Sequence, residues 1–501
     1  MKRYEKHPLY IHNSLKKEKQ LFTPINEGRV GMYVCGPTVY GEPHLGHARG
    51  AVTFDVVFRL LRFLDYKVRY VRNITDVGHL EDEVAGTGED KIAKKARLEQ
   101  LEPMEVVQYY TKKYHKAIEK LGCLDPSIEP SATAHIQEQI NIIEKILKNG
   151  LAYEVDGNVY FDMEAYTATN SYGDLSGKKL EDLLGNSRNL DGQEGKKAAN
   201  DFALWKKAKP EHIMRWESPW STGFPGWHLE CTAMSEKYLG LPFDIHGGGL
   251  DLQFPHHEGE IAQSVAFCGC QPVNYWMHNN MLTLDGQKMA KSKGNFITLD
   301  EMYAGEHDLL DQPYHPMTIR FFMLQSHYTS EIDFSNQALQ AAEKGFSRLM
   351  KGWNALNRLN IEGSSKTATD QDQKIISSID QCMLHLCDDF NTARALASLF
   401  ELTNIVNALV NGQQKLKDYS HQVLSDLKAF YSSIVFDVLG LEASESDNSE
   451  ALDAAMNLII DLRATARANK DWATADKIRD DLKEAGILIK DGKEGTTYSV
   501  E

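Results

Sequence analysis

The sequence predicts an α/β protein whose parallel sheet is split by an insertion and followed by a helical C-terminal part. Two strand-like segments, Gly31–Val34 and Lys67–Arg72, flank a segment with helical apolar spacing. This order favours a right-handed crossover between parallel strands. The alternation stops over Glu119–Trp216 and resumes at Pro242–His246, which indicates an insertion between two halves of one sheet domain. From Thr318 to the late 430s the apolar spacing is helical.

The length and composition are those of a multidomain globular protein. The chain has 501 residues, 42% hydrophobic and 25% charged, and it should divide into about three to five domains. Its seven cysteines are odd in number and scattered, so we expect reduced thiols and no disulfide framework. The N-terminus leads into no apolar signal segment, and no apolar run approaches the roughly 20 residues of a membrane span. We therefore expect a cytoplasmic protein without a membrane partner.

The net charge argues weakly against a nucleic-acid partner. It is formally -16 at pH 7, whereas phosphate binding favours a positive field. Net charge sums the whole surface, however, and a large nucleic acid needs only a local basic track. The motifs therefore weigh more than the composition.

Chemistry-bearing residues fall at the predicted carboxyl ends of the first strands. Cys35, His44 and His47 follow the first strand, and Thr75 follows the second. Parallel sheets bind ligands at this edge. No GxGxxG motif follows the first strand, which disfavours a dinucleotide site.

The sequence predicts further elements in the insertion and in the second half of the sheet domain. In the insertion, Val159–Phe161 is a predicted strand and Leu184–Asn200 a predicted surface loop. Further on, we expect a Gly-rich turn at Gly247–Gly249, a helix from Pro255 and a strand at Tyr275–His278.

An acidic linker precedes a small terminal module. The linker covers Glu442–Glu450 and the module Ala451–Glu501. Within the module, Arg463, Arg467 and Lys470 recur at i, i+4 and i+7, which predicts one basic helical stripe. Such a stripe is either a solvated face or a track for an RNA backbone.

Two motifs indicate phosphate chemistry. Pro43–His47 places His44 and His47 three residues apart beside a helix N-terminus, where the helix dipole favours phosphate oxygens. The loop Lys288–Ser292 offers two ammonium groups suited to a polyphosphate whose charge grows as its bond breaks. In this order the two motifs resemble the HIGH and KMSKS elements of class I aminoacyl-tRNA synthetases. The surrounding sequence is similar to the cysteinyl-tRNA synthetases in particular.

The resemblance also implies a zinc site. Spacing alone gives no zinc motif, because Cys35 and Cys231 are far apart in the sequence, although His256 and Glu260 share a helix face at i, i+4. The family's zinc ligands fall on Cys35, Cys231, His256 and Glu260, with one Zn²⁺ per chain. His257 and Glu258 are alternative ligands, and Cys268–Cys270 is an alternative thiol pair.

Further site residues come from the same resemblance. Those implied to line the cysteine pocket are Gly36, Thr75, Trp227 and His246. Those implied to bind ATP are His44, Gly46, His47, Lys288 and Lys291, of which the two histidines and two lysines are also the implied catalytic residues.

The implied activity is that of a cysteine–tRNA ligase. Such an enzyme activates L-cysteine with ATP and Mg²⁺ and transfers it to the 3'-terminal adenosine of tRNA(Cys). The thiolate preference of Zn²⁺ would select cysteine without an editing site. Alternatives are a cysteine:amino-sugar ligase, which lacks an anticodon-binding module, and a non-catalytic relative that senses tRNA or a metal. We expect a monomer.

The implied domains are a Rossmann-like catalytic domain, an insertion, a stem-contact region, a helical bundle and an anticodon-binding module. Their expected bounds are 1–125 with 217–297, 126–216, 298–335, 336–441 and 451–501. Two features depart from the family pattern. Ala290 replaces the first serine of KMSKS, and Gly78–Glu89 is an extra acidic stretch predicted to be a surface insertion.

Overall fold

The computed structural model describes residues 1–77, 80–82, 87–178, 195–210, 212–226, 228–284, 286–289, 295–443, 449–492 and 495–500. The chain forms two compact units, Met1–Leu441 and Glu442–Glu501. We call them unit 1 and unit 2 and describe each by itself.

Unit 1 begins with a short hairpin and then enters the parallel sheet. The elements are α1 (Arg3–Lys6), β1 (Tyr10–Asn13), β2 (Glu18–Leu21), β3 (Arg29–Val34), α2 (Leu45–Phe63) and β4 (Lys67–Arg72). Strands β3 and β4 pair in parallel, with Met32 opposite Tyr70. The predicted crossover is therefore confirmed, and α2 buries its apolar face, including Val52, Leu60 and Leu61, because that face packs on the sheet.

A hairpin and two helices follow β4. They are β5 (Leu80–Asp82), β6 (Thr87–Asp90), α3 (Lys91–Glu99) and α4 (Pro103–Lys120). The antiparallel pair of β5 and β6 lies in the predicted acidic insertion, of which 78–79 and 83–86 are outside the described residues.

The insertion carries its own antiparallel sheet. Its elements are α5 (Ile136–Lys148), β7 (Ala152–Val155), β8 (Asn158–Phe161), α6 (Met163–Thr167), β9 (Phe202–Lys207) and β10 (Gly223–Pro225). The strand order is β10-β9-β8-β7. The sheet thus continues past Trp216, where we expected the insertion to end. Most of the predicted loop Leu184–Asn200 lies outside the described residues.

The parallel sheet resumes after the insertion. The elements are α7 (Leu229–Leu239), β11 (Phe243–Gly249), α8 (His256–Cys268), β12 (Val273–Asn279), β13 (Leu282–Leu284) and β14 (Gln287–Lys288). Strand β11 pairs in parallel with both β12 and β3, so the order is β12-β11-β3-β4. The split parallel sheet predicted from the sequence is confirmed.

The expected glycine turn at Gly247–Gly249 is wrong, because all three residues belong to β11. A side chain at Gly247 would place its Cβ 2.2 Å from Cε1 of Phe54. Gly247 therefore lets α2 approach the sheet closely, and the three glycines do not turn the chain.

Helices complete unit 1. The elements are α9 (Leu299–Ala304), α10 (Pro316–Leu324), β15 (Ile332–Phe334), α11 (Asn336–Arg358), α12 (Asp372–Cys387), α13 (Thr392–Val410) and α14 (His421–Ser432). Strand β15 interrupts the expected helical run, because it pairs in parallel with β13. Among the described helices, α13 is long and apolar enough to span a membrane by length and composition alone, and 44% of its most apolar window is buried.

Unit 2 is a helical pair with a hairpin. Its elements are α15 (Ser449–Ala468), α16 (Trp472–Glu484), β16 (Ile487–Gly492) and β17 (Gly495–Val500). Residues 444–448 of the predicted linker are outside the described residues.

Candidate active site and metal centre

A cleft of about 590 Å³ lies at the carboxyl ends of β3, β11 and β12. Parallel sheets bind ligands at this edge because the strand ends leave a crevice beside helix N-termini. Its lining includes Cys35, Gly36, His44, Gly46, His47, Arg72, Gly249 and Asn279. The structure therefore brings the predicted phosphate motif and one predicted zinc ligand to the same cavity.

His44 and His47 cap the N-terminus of α2. The amide of Gly46 donates to Nδ1 of His44 over 3.1 Å, and the amide of His44 donates to Nδ1 of His47 over 3.2 Å. Burial, and then the neighbouring His44, lower the pKa of His47 to about 3. His47 is therefore uncharged at neutral pH, and because Nδ1 accepts, its proton lies on Nε2.

Asn73 joins two residues predicted to form the cysteine pocket. Its Oδ1 accepts the amide of Gly36 at 3.0 Å, and its Nδ2 donates to Oγ1 of Thr75 at 2.9 Å. A Cβ at Gly36 would lie 1.5 Å from the carbonyl oxygen of Asn73, so no side chain fits there. Thr75 is buried beside this bridge. The sequence offered no signal for Asn73 apart from its position directly after a strand.

Four side chains that could ligate a metal meet at the wall of the cleft. Sγ of Cys35 lies 3.5 Å from Sγ of Cys231 and 3.4 Å from Nε2 of His256. Nε2 of His256 lies 3.4 Å from Sγ of Cys231 and 3.2 Å from Oε1 of Glu260. Oε1 of Glu260 lies 3.8 Å from Sγ of Cys35. The four residues come from both halves of the split sheet domain, so the sheet pairing assembles the cluster.

Five of the six distances among these ligand atoms suit a tetrahedral metal ion. The set of four described ligand atoms that all lie within 4.8 Å of one another is that of Cys35, His256, His257 and Glu260. With metal–ligand distances of about 2.0–2.3 Å, neighbouring ligand atoms of a zinc site lie roughly 3.3–3.8 Å apart, and the distances above fall close to this range. Burial raises the pKa of the Cys231 thiol to about 11 and that of the Glu260 carboxyl to about 8. Without a metal ion, the Cys231 thiol and the Glu260 carboxyl are therefore mainly protonated at neutral pH, and a bound cation would stabilise their anionic forms.

Of the two alternative ligands on α8, His257 faces the metal cluster and Glu258 does not. Nε2 of His257 is 3.3 Å from Sγ of Cys35 and 3.9 Å from Oε1 of Glu260, so His257 also faces the cluster. Glu258 does not, because its carboxylate accepts the amides of Gly173 and Ser176.

The alternative thiol pair is oxidised. The structure joins Cys268 and Cys270 in a disulfide, and the expectation of reduced thiols is wrong for these two. The other five cysteines are free. A disulfide offers no thiolate, so the bonded pair cannot hold a metal.

His246 lies behind the metal cluster. Its side chain is fully buried, and its Nε2 is 2.8 Å from Oε2 of Glu260. The ring stacks on Trp276 with centroids 4.5 Å apart. The described structure therefore gives His246 contact with a predicted ligand, an arrangement that orients ligating carboxylates in metal sites.

Sequence reasoning missed a further layer of histidines. Nδ1 of His228 lies 2.6 Å from Nδ1 of His256, and Nδ1 of His257 lies 2.8 Å from Nε2 of His278. His278 in turn lies 2.8 Å from Oγ of Ser14. The only sequence signal was the frequency of histidine near the ligands.

Several predicted site residues cannot be placed. Trp227, Ala290 and Lys291 lie outside the described residues, and only the backbone of Lys288 is described, paired with Thr283.

In unit 2, the prediction of one basic helical stripe is wrong, because its three residues do not share one exposed helix face. Arg467 is exposed, but Arg463 is 8% exposed on the buried side of α15. Lys470 follows the end of that helix in a left-handed conformation, with φ of 58°. The helix ends at Ala468, so the spacing no longer holds Lys470 on its face.

Comparison with known proteins identifies the family and the fold. A family model described as the class I (C) catalytic domain of tRNA synthetases matches residues 21–344. A DALR domain matches 382–443, and a cysteinyl-tRNA ligase anticodon binding domain matches 449–498. The fold resembles a Mycobacterium tuberculosis methionyl-tRNA synthetase in complex with methionyl-adenylate, with a TM-score of 0.59 and 14% identity over 82% of this chain and 92% of that one.

The fold is therefore that of the class I aminoacyl-tRNA synthetases. Proteins named cysteine–tRNA ligase from Bacteroides fragilis and Phocaeicola vulgatus are each 56% identical to it, covering 99% and 98% of this chain and 99% of each relative. One from Porphyromonas gingivalis is 54% identical over 99% of both chains. The chain belongs to the cysteine–tRNA ligase family.

Proposed function

We propose that the cleft of unit 1 activates cysteine with ATP, and that Cys35, Cys231, His256 and Glu260 hold one Zn²⁺ that selects the substrate thiol. The family's activity is the ATP-dependent joining of cysteine to tRNA. The observation that carries the zinc proposal is the close approach of four donor atoms from both halves of the sheet, at the wall of the cleft.

The zinc ion would supply selectivity. Borderline-soft Zn²⁺ prefers a thiolate to an alkoxide and would lower the pKa of a coordinated thiol, so serine would compete poorly with cysteine. His246 would hold Glu260 in position through its 2.8 Å contact. Gly36, Thr75 and Trp227 would line the remainder of the amino-acid pocket.

ATP would bind beside the N-terminus of α2. His44, Gly46 and His47 surround the first turn, where amide groups and the helix dipole favour phosphate oxygens. Lys288 and Lys291 would neutralise the charge that develops as pyrophosphate leaves. The chemistry implies Mg²⁺ bound with ATP, and no carboxylate is assigned to it.

Neither chemical step needs a protein nucleophile. The cysteine carboxylate attacks the α-phosphate of ATP, giving cysteinyl-adenylate and pyrophosphate. The hydroxyl of the 3'-terminal adenosine of tRNA(Cys) then takes the cysteinyl group and AMP leaves. Catalysis therefore rests on positioning and charge stabilisation.

We assign tRNA binding to unit 2 and to the region 298–335. We keep the other expected domain bounds except that the insertion extends to Pro225. The match to an anticodon binding domain over 449–498 supports this division. It also disfavours the cysteine:amino-sugar ligase, which lacks such a module. We further propose that the protein is a cytoplasmic monomer.

Metal analysis of four purified variants tests the zinc assignment. We expect about one zinc per chain in the wild type and in Cys268→Ser, and much less in Cys231→Ser. His256→Ala and His257→Ala form a matched pair on one helix turn, and only the first should lose zinc. Far-UV circular dichroism checks that each variant is folded.

The opposite pattern would contradict the assignment. If Cys231→Ser keeps its zinc while Cys268→Ser loses it, the metal lies at the alternative thiol pair. If His257→Ala loses zinc and His256→Ala keeps it, the histidine ligand is the other one.

A further inference from the structure

The disulfide between Cys268 and Cys270 lies outside the proposed active site. It closes the turn that follows α8, the helix that begins with His256. Cys268 is exposed and Cys270 is half-buried. The other cysteines, which also lie in the described part of the chain, are half-buried or buried. Cys268 is therefore the cysteine most accessible to a solute.

The backbone between the two cysteines positions them for bonding. Gly269 ends α8 in the left-handed conformation, with φ of 71°, and its amide donates to the carbonyl of Val265 over 2.9 Å. The Cα atoms of Cys268 and Cys270 are 5.5 Å apart, within the range that a disulfide spans. Apart from Gly269 and its neighbours Cys268 and Cys270, no described atom lies within 4 Å of the position that a Cβ on Gly269 would take. A small molecule can thus approach this turn from solvent.

The reduced state of the pair is also accommodated. Sγ of Cys268 lies 3.1 Å from the carbonyl oxygen of Ser264, to which a thiol can donate. Nδ2 of Asn149 donates to the carbonyl of Ala266 over 2.8 Å, so the end of α8 is held without the disulfide. A bond that closes a loop of three residues also removes little entropy from the unfolded chain. A structural staple therefore explains the pair poorly.

We propose that Cys268 and Cys270 form a reversible dithiol–disulfide site that exchanges with small-molecule disulfides. The thiolate of Cys268 attacks a sulfur of the reagent, forming a mixed disulfide and releasing one reagent thiol. The thiolate of Cys270 then attacks the sulfur of Cys268 and releases the second. The protein loses two protons and two electrons, and the reagent disulfide is reduced to two thiols.

The position of the pair argues against an efficient oxidoreductase. The negative end of the helix dipole disfavours a thiolate on Cys268, which slows attack. The pair should therefore follow the ratio of thiol to disulfide in solution without catalysing exchange between other molecules. The amino acid that this family activates has such a couple, cysteine and cystine, and glutathione is another source of the same chemistry.

The test equilibrates the full-length, metal-loaded protein in buffers of graded thiol-to-disulfide ratio. Separate series use reduced and oxidised glutathione, and cysteine and cystine. Acid quenching, alkylation and peptide mass mapping then give the oxidised-to-reduced ratio of Cys268–Cys270. We expect this ratio to change at least about tenfold across each series and to be reversed by dithiothreitol.

Two controls separate this site from other thiols. Cys382 and Cys387 are buried on α12, so they should stay reduced in every buffer and be alkylated after the acid quench. Cys35 and Cys231 lie 3.5 Å apart, and the peptide map distinguishes their oxidation from that of Cys268. The variant Cys270→Ser should stop at the mixed disulfide.

The outcomes decide the proposal. A response to glutathione alone or to cystine alone supports the site and identifies the couple that reaches it. A pair that stays fully reduced, or fully oxidised, across both series would overturn it, as would the absence of a mixed disulfide in Cys270→Ser.

Discussion

Replacing Glu129 with glutamine should destabilise unit 1 by an amount that depends on pH. Glu129 lies in a segment that pairs with β4, because Ile128 and Val71 form a parallel bridge. Its Oε1 accepts from Arg72 at 2.7 Å and 3.2 Å, and its Oε2 lies 2.6 Å from Nε2 of His115. Arg72, which lines the cleft, has a side chain only 4% exposed. The carboxylate is thus the anionic partner of a buried guanidinium.

The size of the effect follows from this burial. Removing one partner of a fully buried ion pair costs about 3–5 kcal/mol. The Glu129 side chain is 20% exposed, and glutamine keeps one oxygen that accepts from Arg72. We therefore expect a loss of about 2–3 kcal/mol in the free energy of unfolding near pH 7, typical of hydrogen bonds to charged groups.

The pH dependence has a definite sign. Burial alone would raise the pKa of Glu129, but the hydrogen bond from His115 and the charge of Arg72 outweigh it and lower the pKa below its usual value. Its stabilisation is therefore present above the usual glutamate pKa and is lost as the pH falls through the lower folded value. The difference between wild type and Glu129→Gln should shrink below about pH 4.5.

Urea unfolding followed by tryptophan fluorescence, from pH 7 down to the acid limit of stability, measures this difference. Glu138→Gln is the matched control, since Glu138 pairs with Lys237 at the surface of the same unit, where the two side chains are 29% and 40% exposed. It should cost less than about 1 kcal/mol. Glu129→Gln as stable as wild type at pH 7, or a difference that stays constant with pH, would refute the reasoning.

Four other substitutions test the proposed roles. Gly36→Ala should reduce ATP–pyrophosphate exchange at least about tenfold, because its Cβ would overlap a backbone carbonyl at 1.5 Å; Gly50→Ala, whose Cβ would be 3.7 Å from its nearest neighbour, should change it little. Lys288→Ala and Lys291→Ala should each slow adenylate formation by roughly 10²–10³-fold and leave cysteine affinity nearly unchanged, and exchange rates near wild type would exclude that role. Arg467→Ala should weaken tRNA binding and reduce its salt dependence by about one counterion while adenylate formation is unchanged, as filter binding at graded salt would measure.

The sequence predicted the parts of the fold that local pattern determines. The strand Lys67–Arg72 and the helix facing it occur where apolar spacing placed them, because one face of each packs on the same core. Apolar spacing did not predict the structure where contacts with a distant segment determine it. Gly247–Gly249 continues a strand because it pairs with Met277–Asn279, and Gly247 leaves room for the ring of Phe54, which no local signal indicates.

The metal cluster shows even more clearly that local sequence pattern cannot predict contacts between distant segments. Cys35 and Cys231 adjoin only because β11 pairs with β3 across the insertion, so their sequence spacing carries no information about the site. The i, i+4 pair of His256 and Glu260 was the only local part of the pattern. Family resemblance was needed to join them, whereas His228, His278 and Asn73 required the structure itself.

We expect binding and catalysis to divide among the proposed phosphate-binding residues according to their charge. Burial and the adjacent His44 lower the pKa of His47 to about 3, so in this structure it is a neutral hydrogen-bond donor beside the N-terminus of α2. We expect a neutral donor there to contribute less than an ammonium group to stabilising the charge that moves onto pyrophosphate in the transition state. We expect most of the charge that stabilises departing pyrophosphate to come from cations, namely the Mg²⁺ implied with ATP and the proposed Lys288 and Lys291. It follows that loss of the His47 donor should raise the KM for ATP more than it lowers kcat, whereas loss of either lysine should do the reverse.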